Sequence, residues 1–407
     1  MTYDFTTLLD RQGIDAVAWD AEGAIGSGML GVRDVQVRDG FSIIPMWVAD
    51  MNFPALPAIP EALVGRALHE AYGYFFPQDN YYNAIIRWHE TRNNTQGLTK
   101  DCIGYENGVL GGLVSAIQAM AAPGDKVLVH APTYIGFTHA LEDMGYHIVL
   151  SPLVKDENGV WRMDYADMEQ HLRDEHIHSA VFCSPHNPTG RVWEAWELEQ
   201  AMDLYQKYDC YVVSDEIWSD LTLFDHKHIP TQMVSEDARM RTVALYAPSK
   251  TFNLAGLIGS YHVIYNPLLR DRVRAIGAKT CYNHQNVLSM HALLAAYSDD
   301  GQEWVNELRT VLGKNVNYAV DFIRTHFAGV DVSKPEGTYM LFLNCSAWCA
   351  SHATTIDELE KLGISYGVLW QDGRAFHGEN CIRMNLALPY DKVVEAFERL
   401  RTYVFVD

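Results

Sequence analysis

The middle of the chain alternates between two kinds of segment. Short runs rich in β-branched and aromatic residues are separated mostly by segments whose apolar residues recur at helical spacing. The runs are KVLVHA (126–131), HIVLS (147–151), SAVFCS (179–184), CYVVSD (210–215), TVALYA (242–247) and SYHVIY (260–265). Because strands that alternate with helices form βαβ units, the pattern predicts an α/β fold with a largely parallel sheet.

A different pattern begins after about residue 285. It consists of a long helical segment, two β-like runs and a last helix, at 301–327, 338–344, 381–388 and 391–403. These segments predict a smaller α+β domain that also recruits the start of the chain. We therefore expect three parts: an N-terminal segment that packs with the small domain (1–45), a large domain (46–285) and the small domain (286–407).

Composition limits the partners that the chain would bind. Its 407 residues carry a formal net charge of −21, whereas nucleic-acid binders cluster Lys and Arg, so we expect no nucleic-acid partner. The start MTYDFTTLLDRQG lacks an apolar signal segment, and no run of about 18 apolar residues follows, so we expect no membrane span. The seven scattered cysteines form no CxxC pair or zinc-finger spacing, which predicts no metal and a reducing, cytoplasmic location.

Chemically useful residues follow the ends of four predicted strands. SAVFC runs into Asn187 and CYVVS into Asp215. TVALY runs into Lys250, and VLVHAP into Tyr134. The carboxyl ends of parallel strands meet at one edge of a sheet, where ligands bind. An amide, a carboxylate, a lysine and an aromatic ring at that edge indicate a flat, polar heteroaromatic ligand that carries an aldehyde.

Lys250 stands among small and apolar neighbours in APSKTFNLAGL. One interpretation is an exposed lysine in a loop; the other is an amine that acts as a nucleophile or is bound in a Schiff base. Burying an ammonium costs several kcal/mol unless it is paired or loses its proton, so a buried Lys250 would need a chemical reason.

Pyridoxal phosphate has the features that such a set of residues would recognise. Its aldehyde condenses with a lysine, its ring nitrogen needs a carboxylate to stay protonated, and its phenolic oxygen needs a hydrogen-bond donor. Its phosphate needs N–H groups at a helix N-terminus, which Gly108, Val109 and Leu110 in NGVLGG would supply. Each feature alone also has an ordinary explanation as a turn or helix cap.

The order of these motifs resembles that of a known superfamily. NGVLGG, PTY, SPHNPTG, SDEIW, SKTFNLAGL and IRMNLA together are similar to the fold type I, aspartate-aminotransferase-like pyridoxal phosphate enzymes over nearly the whole chain. The chain is most similar to the MalY/PatB group of carbon–sulfur (cystathionine β-) lyases, through YDFTTLLDRQG, PMWVADMNFP, YGY and the continuous SKTFNLAGL. The resemblance implies a large domain with a mostly parallel seven-stranded sheet and a smaller α+β domain.

The resemblance also implies a role for each residue that matches a family motif. Lys250 would bind the cofactor covalently, and Asp215 would pair with the ring nitrogen. Asn187 would donate to the ring oxygen, and Tyr134 would stack on the ring face. Lys250, Asp215 and Tyr134 are thus the implied catalytic residues. Arg383 in IRMNLA would bind the substrate carboxylate through two hydrogen bonds, which suits a guanidinium better than an ammonium.

The phosphate site combines one family feature with two departures. Tyr74 matches a tyrosine that reaches the phosphate of the neighbouring subunit, which implies a homodimer with shared active sites. With Asn187 it would also line the substrate site. Ile258 replaces a phosphate-binding arginine, and Ala247 stands where a serine is common. The phosphate would then depend more on backbone amides, Ser249 and the partner's Tyr74.

Two more departures concern the ring and the substrate. Trp218 stands where many relatives place a tyrosine that bonds the ring oxygen, and an indole can only donate. Asn52 in ADMNF replaces the more usual Asp. We expect this change to alter the wall near the substrate carboxylate.

The resemblance to the MalY/PatB group implies β-elimination from a cysteine conjugate or thioether such as L-cystathionine. The products would be a thiol, here homocysteine, with pyruvate and ammonia, and Lys250 would act as general base at Cα. Two alternatives stay open. An aminotransferase of amino acids would use the same residues, and a binding or regulatory protein would retain the scaffold without the reaction.

Overall fold

The computed structural model describes residues 1–406, which form fourteen strands and fourteen α-helices. The strands are β1 (Ile44–Pro45), β2 (Ile103–Glu106), β3 (Lys126–Ala131), β4 (His147–Lys155), β5 (Trp161–Met163), β6 (Ser179–Cys183), β7 (Tyr211–Asp215), β8 (Thr242–Tyr246), β9 (Ser260–Val263), β10 (Asp331–Val332), β11 (Met340–Asn344), β12 (Val368–Leu369), β13 (Gln371–Asp372) and β14 (Cys381–Asn385). The helices are α1 (Ala21–Ser27), α2 (Ala58–Ala67), α3 (Asp79–Asn93), α4 (Val109–Met120), α5 (Ile135–Asp143), α6 (Tyr165–Asp174), α7 (Ala195–Lys207), α8 (Glu236–Arg241), α9 (Pro267–Thr280), α10 (Val287–Ala296), α11 (Asp299–His326), α12 (Ser346–Ser351), α13 (Ile356–Ser365) and α14 (Tyr390–Tyr403).

The β-rich runs of the middle of the chain form one eight-stranded sheet. Its order is β2-β9-β8-β7-β6-β3-β4-β5. Strands β8, β7, β6, β3 and β4 are parallel to one another, while β9 and the edge strand β5 are antiparallel to their neighbours. The mostly parallel sheet predicted from the sequence is confirmed. The resemblance implied seven strands, whereas the sheet has eight, including the three-residue edge strand β5.

Both faces of this sheet are buried, as is usual for parallel strands flanked by helices. Every residue of β6 and of β8 is buried. Val127 and Val129 of β3 pack on one face with Leu113 of α4, while the intervening Leu128 packs on the other face with Leu198 of α7.

Two helices illustrate starts at which the sequence supplies capping groups. Asn266 accepts hydrogen bonds from the N–H groups of Leu268 and Leu269, and Pro267 occupies the first helical position of α9. At α13, Thr355 and Glu358 form a reciprocal capping box.

Contacts divide the chain into two units. The sheet unit contains Ala55–His186 and Arg191–Asn306; the terminal unit contains Met1–Pro54, Asn187–Gly190 and the chain from Glu307 onward. The terminal unit has a four-stranded sheet, β10-β11-β14-β13, and a parallel pair, β1-β12.

The boundaries of these units differ from those that we expected, which were between residues 45 and 46 and between residues 285 and 286. Helix α10 packs against α2 and α3, so 287–296 lies with the sheet unit. The continuous helix α11 crosses the later boundary, and no loop marks it in the sequence. None of the helices within residues 1–406 combines the length and the apolar content needed to cross a membrane.

Candidate active site

Three of the predicted site residues follow strands of the sheet unit. Asp215 is the last residue of β7, Lys250 comes four residues after β8, and Tyr134 comes three residues after β3. Because β6, β7 and β8 are parallel and in register, Cys183, Asp215 and Leu245 lie side by side at one edge of the sheet.

Asp215 is buried with little polar compensation from the protein. Its side chain is 4% exposed, and its Oδ1 accepts a hydrogen bond from the N–H of Ile217 at 3.0 Å. Burial raises the pKa of Asp215 to about 7, although the Ile217 N–H and the charge of Lys250 act in the opposite direction. A ligand that brings a positively charged N–H to this carboxyl would favour its ionised form.

Two contacts describe the surroundings of Lys250, one near its side chain and one made by the residue that follows it. Its Nζ lies 5.8 Å from the centre of the buried Trp218 ring. The next residue, Thr251, donates from Oγ1 to Asp220 Oδ2 at 2.9 Å. Lys250 itself is partly exposed, so its amine is accessible to a ligand. Trp218 thus packs near the lysine.

Asp220 was not singled out from the sequence, although it holds the chain beside the lysine. Its Oδ1 accepts from Trp88 Nε1 at 3.0 Å and pairs with Arg92 Nε at 3.2 Å, and the carboxylate is almost fully buried. The SDEIWSD motif contains this second aspartate, but an Asp after a strand has no local pattern that distinguishes such an anchor from a surface residue.

The start of α4 offers N–H groups to an anion. Gly108 precedes the helix with φ +85°, a conformation that favours glycine, and no side chain of the described residues caps this end. The first turn of α4 carries no acidic residue. The N–H groups of Val109 and Leu110 and the helix dipole therefore fit a phosphate.

Tyr134 lies close to this helix start. A Cβ built on Gly136 would be 2.4 Å from Tyr134 Cε1 and 2.9 Å from Leu110 Cδ1, so the absence of a side chain at Gly136 makes room for both groups. The Tyr134 ring also meets Phe137 edge to face, with ring centres 5.3 Å apart. The structure therefore brings the predicted ring-stacking residue to the predicted phosphate turn.

Two of the departures from the family pattern also lie in this unit. Ile258 has φ +46° and is 51% exposed, and its Cγ2 would be 3.8 Å from a Cβ on Gly108. An apolar side chain thus stands beside the phosphate turn. Ala247 is buried in the core, whereas Ser249 is partly exposed. Of these three positions, Ser249 alone carries a polar side chain.

Arg383 and Asn187 come together in the terminal unit. Arg383 Nη1 donates to Asn187 Oδ1 at 3.2 Å, and Arg383 is 3% exposed. Because a guanidinium can only donate, it selects the oxygen of the Asn187 amide and leaves the Asn187 NH₂ group as a donor elsewhere. This orientation agrees with the expectation that Asn187 donates to a ring oxygen.

Three other groups hold the Arg383 guanidinium. Its Nη2 donates to the backbone oxygen of Trp47 at 3.2 Å and to Gln371 Oε1 at 2.6 Å. The Phe376 ring lies 4.2 Å from the guanidinium carbon, a cation–π distance. Gln371 and Phe376 were not found from the sequence because neither carries a charge or lies in a family motif, and Trp47, although it lies in PMWVADMNFP, acts through its backbone oxygen.

Asn52, another departure from the family pattern, is buried and hydrogen-bonded. It is 0% exposed, its Oδ1 accepts from Trp19 Nε1 at 2.9 Å, and its N–H donates to Ala387 O at 3.1 Å. The side chain of Asn52 therefore lies inside the terminal unit, and the effect of this departure on the wall near the substrate carboxylate stays a prediction.

Tyr74 is not part of a buried cluster in the single chain. Its side chain is fully exposed, and it lies in a segment outside the helices and strands, between α2 and α3. Within residues 1–406, no group of three or more His, Cys, Asp or Glu side chains is placed to hold a metal ion.

Known proteins resemble the chain over almost its whole length. The family model for class I and II aminotransferases matches residues 52–400. The chain is 34% identical to "Cystathionine beta-lyase PatB" of Bacillus subtilis, covering 98% of this chain and 99% of the relative. It is 30% identical to "Protein MalY" of Escherichia coli, covering 96% of each. The crystal structure of a pyridoxal-phosphate-bound C–S lyase from Staphylococcus hominis superposes with a TM-score of 0.88 at 26% identity, covering 100% and 99% of the two chains.

Proposed function

Because the chain belongs to the class I and II aminotransferase family, we propose that it is a pyridoxal-phosphate-dependent carbon–sulfur lyase of the cystathionine β-lyase type. It converts L-cystathionine or a related cysteine conjugate, with one water, to a thiol, pyruvate and ammonia. The observation that carries this proposal is the end-to-end similarity to a cystathionine β-lyase.

Each unit, taken by itself, contains residues that fit a part of the cofactor. The N-terminus of α4 would hold its phosphate, Asp215 its ring nitrogen, Asn187 its ring oxygen and Lys250 its aldehyde. When bound, pyridoxal phosphate supplies an electron-accepting ring that stabilises negative charge at the substrate Cα. A buried acid with a pKa near 7 suits this role, because the cofactor supplies the cationic N–H that favours the ionised acid.

Lys250 performs the proton transfer. Its amine takes the proton from the substrate Cα, and the negative charge that this creates then expels the thiolate from Cβ. The anchored Thr251 and the nearby Trp218 ring restrict where the amine can lie, which favours transfer at one face of Cα.

Arg383 orients the substrate through its carboxylate. The guanidinium forms two parallel hydrogen bonds with a carboxylate, which fixes the direction of the Cα–H bond more tightly than a single contact would.

A direct assay separates this reaction from its alternatives. Purified protein is incubated with L-cystathionine and no keto acid, and pyruvate and homocysteine are measured. Equal amounts of both products, formed over many turnovers, are expected. Accumulation of pyridoxamine phosphate without pyruvate would contradict the lyase and favour an aminotransferase, and a protein that takes up no cofactor would favour a binding or regulatory role.

The protein also acts as a homodimer in this proposal. Leu68, Tyr74 and Phe76 are 77%, 107% and 86% exposed, an apolar group that a second subunit would cover. Tyr74 would then reach the partner's phosphate. Light scattering should give a dimer for the wild type and a monomer for Phe76→Glu, whereas Leu268→Glu, at another exposed leucine of the sheet unit, should remain dimeric.

The cytoplasm is the proposed location. All seven cysteines are free, and all except Cys281 are buried, as expected for a protein that folds in a reducing compartment. Fractionation of cells that make the protein tests this location.

A further inference from the structure

Strand β13 consists of two residues whose side chains have opposite partners. Gln371 accepts from Arg383 Nη2 at 2.6 Å, whereas the carboxylate of Asp372 accepts from Arg374 Nε at 2.8 Å. This follows from the pleat, because successive side chains of a strand point to opposite faces. A neutral amide therefore faces Arg383 while the adjacent acid faces away from it.

The register of the sheet makes the contact between Gln371 and Arg383 direct. Gln371 and Arg383 are opposite each other in the antiparallel pair β13-β14, and directly opposite residues lie on the same face. The turn after β13 also brings Phe376 against the guanidinium. One short segment thus supplies both an acceptor and a ring to the same arginine.

The charge of the acceptor matters as much as its position. The oxygens of Trp47, Asn187 and Gln371 orient the guanidinium, and each of them is uncharged. A carboxylate at position 371 would form an ion pair with Arg383 and compete with the carboxylate of a substrate. An apolar side chain there would remove one acceptor and allow the guanidinium to rotate.

We infer that Gln371 is a positioning residue that orients Arg383 and, because it is neutral, preserves its charge for an α-carboxylate. This inference rests on the proposed role of Arg383 in substrate binding. It makes position 371 a determinant of affinity for amino acids with a free carboxylate, without a direct contact to the reacting atoms.

The test uses a ligand pair that differs only at the carboxylate. L-Alanine has no leaving group at Cβ, so it binds without elimination, and L-alaninamide retains the amine but lacks the carboxylate. Calorimetry on the holoenzyme would give Kd for both ligands. We expect Gln371→Met to weaken L-alanine about tenfold and Gln371→Glu about a hundredfold, with L-alaninamide changed by less than about twofold.

Two controls make the result specific. Gln36→Glu adds the same charge at an exposed position of the terminal unit and should change neither Kd. With L-cystathionine, both Gln371 variants should raise KM while kcat stays within about threefold of the wild type. Equal weakening of both ligands would show a merely structural role and overturn the inference, as would an unchanged Kd for L-alanine.

The outcome for Gln371 is separable from that of the proposed reaction. If the Gln371 variants bind L-alanine more weakly but the wild type releases no pyruvate from L-cystathionine, the proposed reaction fails and the inference stands. If the wild type releases pyruvate and both Gln371 variants bind L-alanine with the wild-type Kd, the inference fails and the proposed reaction stands.

Discussion

The two units stabilise the charged side chains of their site residues in opposite ways. In the sheet unit, burial raises the pKa of Asp215 to about 7, so the ionised acid depends on a ligand. In the terminal unit, Arg383 is equally buried but has three oxygen acceptors and a ring, and a guanidinium stays protonated at any physiological pH. The cofactor would therefore complete the first group, whereas the second is organised by the protein alone.

The largest effect should come from the sheet unit. Lys250→Ala removes the base at Cα, and we expect pyruvate release to fall by about 10³-fold or more. The change is checked by coupled pyruvate assay at saturating L-cystathionine. Lys279→Ala, at an exposed position of α9, should retain full activity. An active Lys250→Ala protein would remove the reason for treating this group as catalytic.

The pH dependence of the protein without cofactor tests the statement about Asp215. Its pKa is raised in the folded state, from 3.8 to about 7, so the folded protein binds more protons than the unfolded chain between these values. Stability due to this group is therefore present at low pH and lost as pH rises from about 4 to about 7.

Asp215→Asn cannot ionise and should not show this loss. Relative to the wild type, the cofactor-free variant should gain about 3 to 4 kcal/mol of unfolding free energy between pH 4 and pH 8. Urea unfolding at several pH values measures the difference. A difference that does not change with pH would contradict the assignment, and saturating cofactor should reduce the effect in the wild type.

The same substitution should impair catalysis. An amide cannot balance the positive charge of a protonated ring nitrogen, so we expect kcat of Asp215→Asn to fall by about 10²-fold. Cofactor content, measured by absorbance, would show whether the loss reflects binding or chemistry. A kcat within twofold of the wild type at full cofactor content would exclude this role.

Substitution of Arg383 in the terminal unit should change KM more than kcat. Arg383→Lys keeps the charge but loses the paired donors, so KM for L-cystathionine should rise by about tenfold, with a smaller change in kcat. Arg401→Lys, on the exposed side of α14, is the matched control. If kcat falls and KM does not, Arg383 has a role other than carboxylate binding.

The smallest effect is expected at the phosphate turn. Ile258→Arg would place a cation beside Gly108, and we expect cofactor loss on dialysis to slow by about fivefold or less, since exposed ion pairs contribute little. Ile258→Gln, which adds a polar side chain without charge, should dissociate at the wild-type rate. If the arginine variant loses cofactor faster than the wild type, the backbone N–H groups hold the phosphate better without the added cation.

Much of the fold was predictable because its signals are local. The six β-rich runs correspond to β3, β4, β6, β7, β8 and β9, since alternation of strand and helix patterns reports on backbone preference over a few residues. The two strands of the eight-stranded sheet that were missed, β2 and β5, have four and three residues and carry no clear period. The unit boundary at 306/307 lies inside the continuous helix α11, so no loop signal marks it in the sequence.

By itself, the sequence determined the fold class, the family motifs and which residues follow the strand ends, including Asp215 and Lys250. Tertiary structure alone decided which groups surround the site residues. It places Asp220 beside Thr251, the neighbour of Lys250, and it places Gln371, Trp47 and Phe376 around Arg383. Asn187 and Arg383 are 196 positions apart, and their hydrogen bond depends on where the chain returns. Local patterns extend over about one turn or one strand, so they cannot specify which neutral oxygen meets a distant guanidinium.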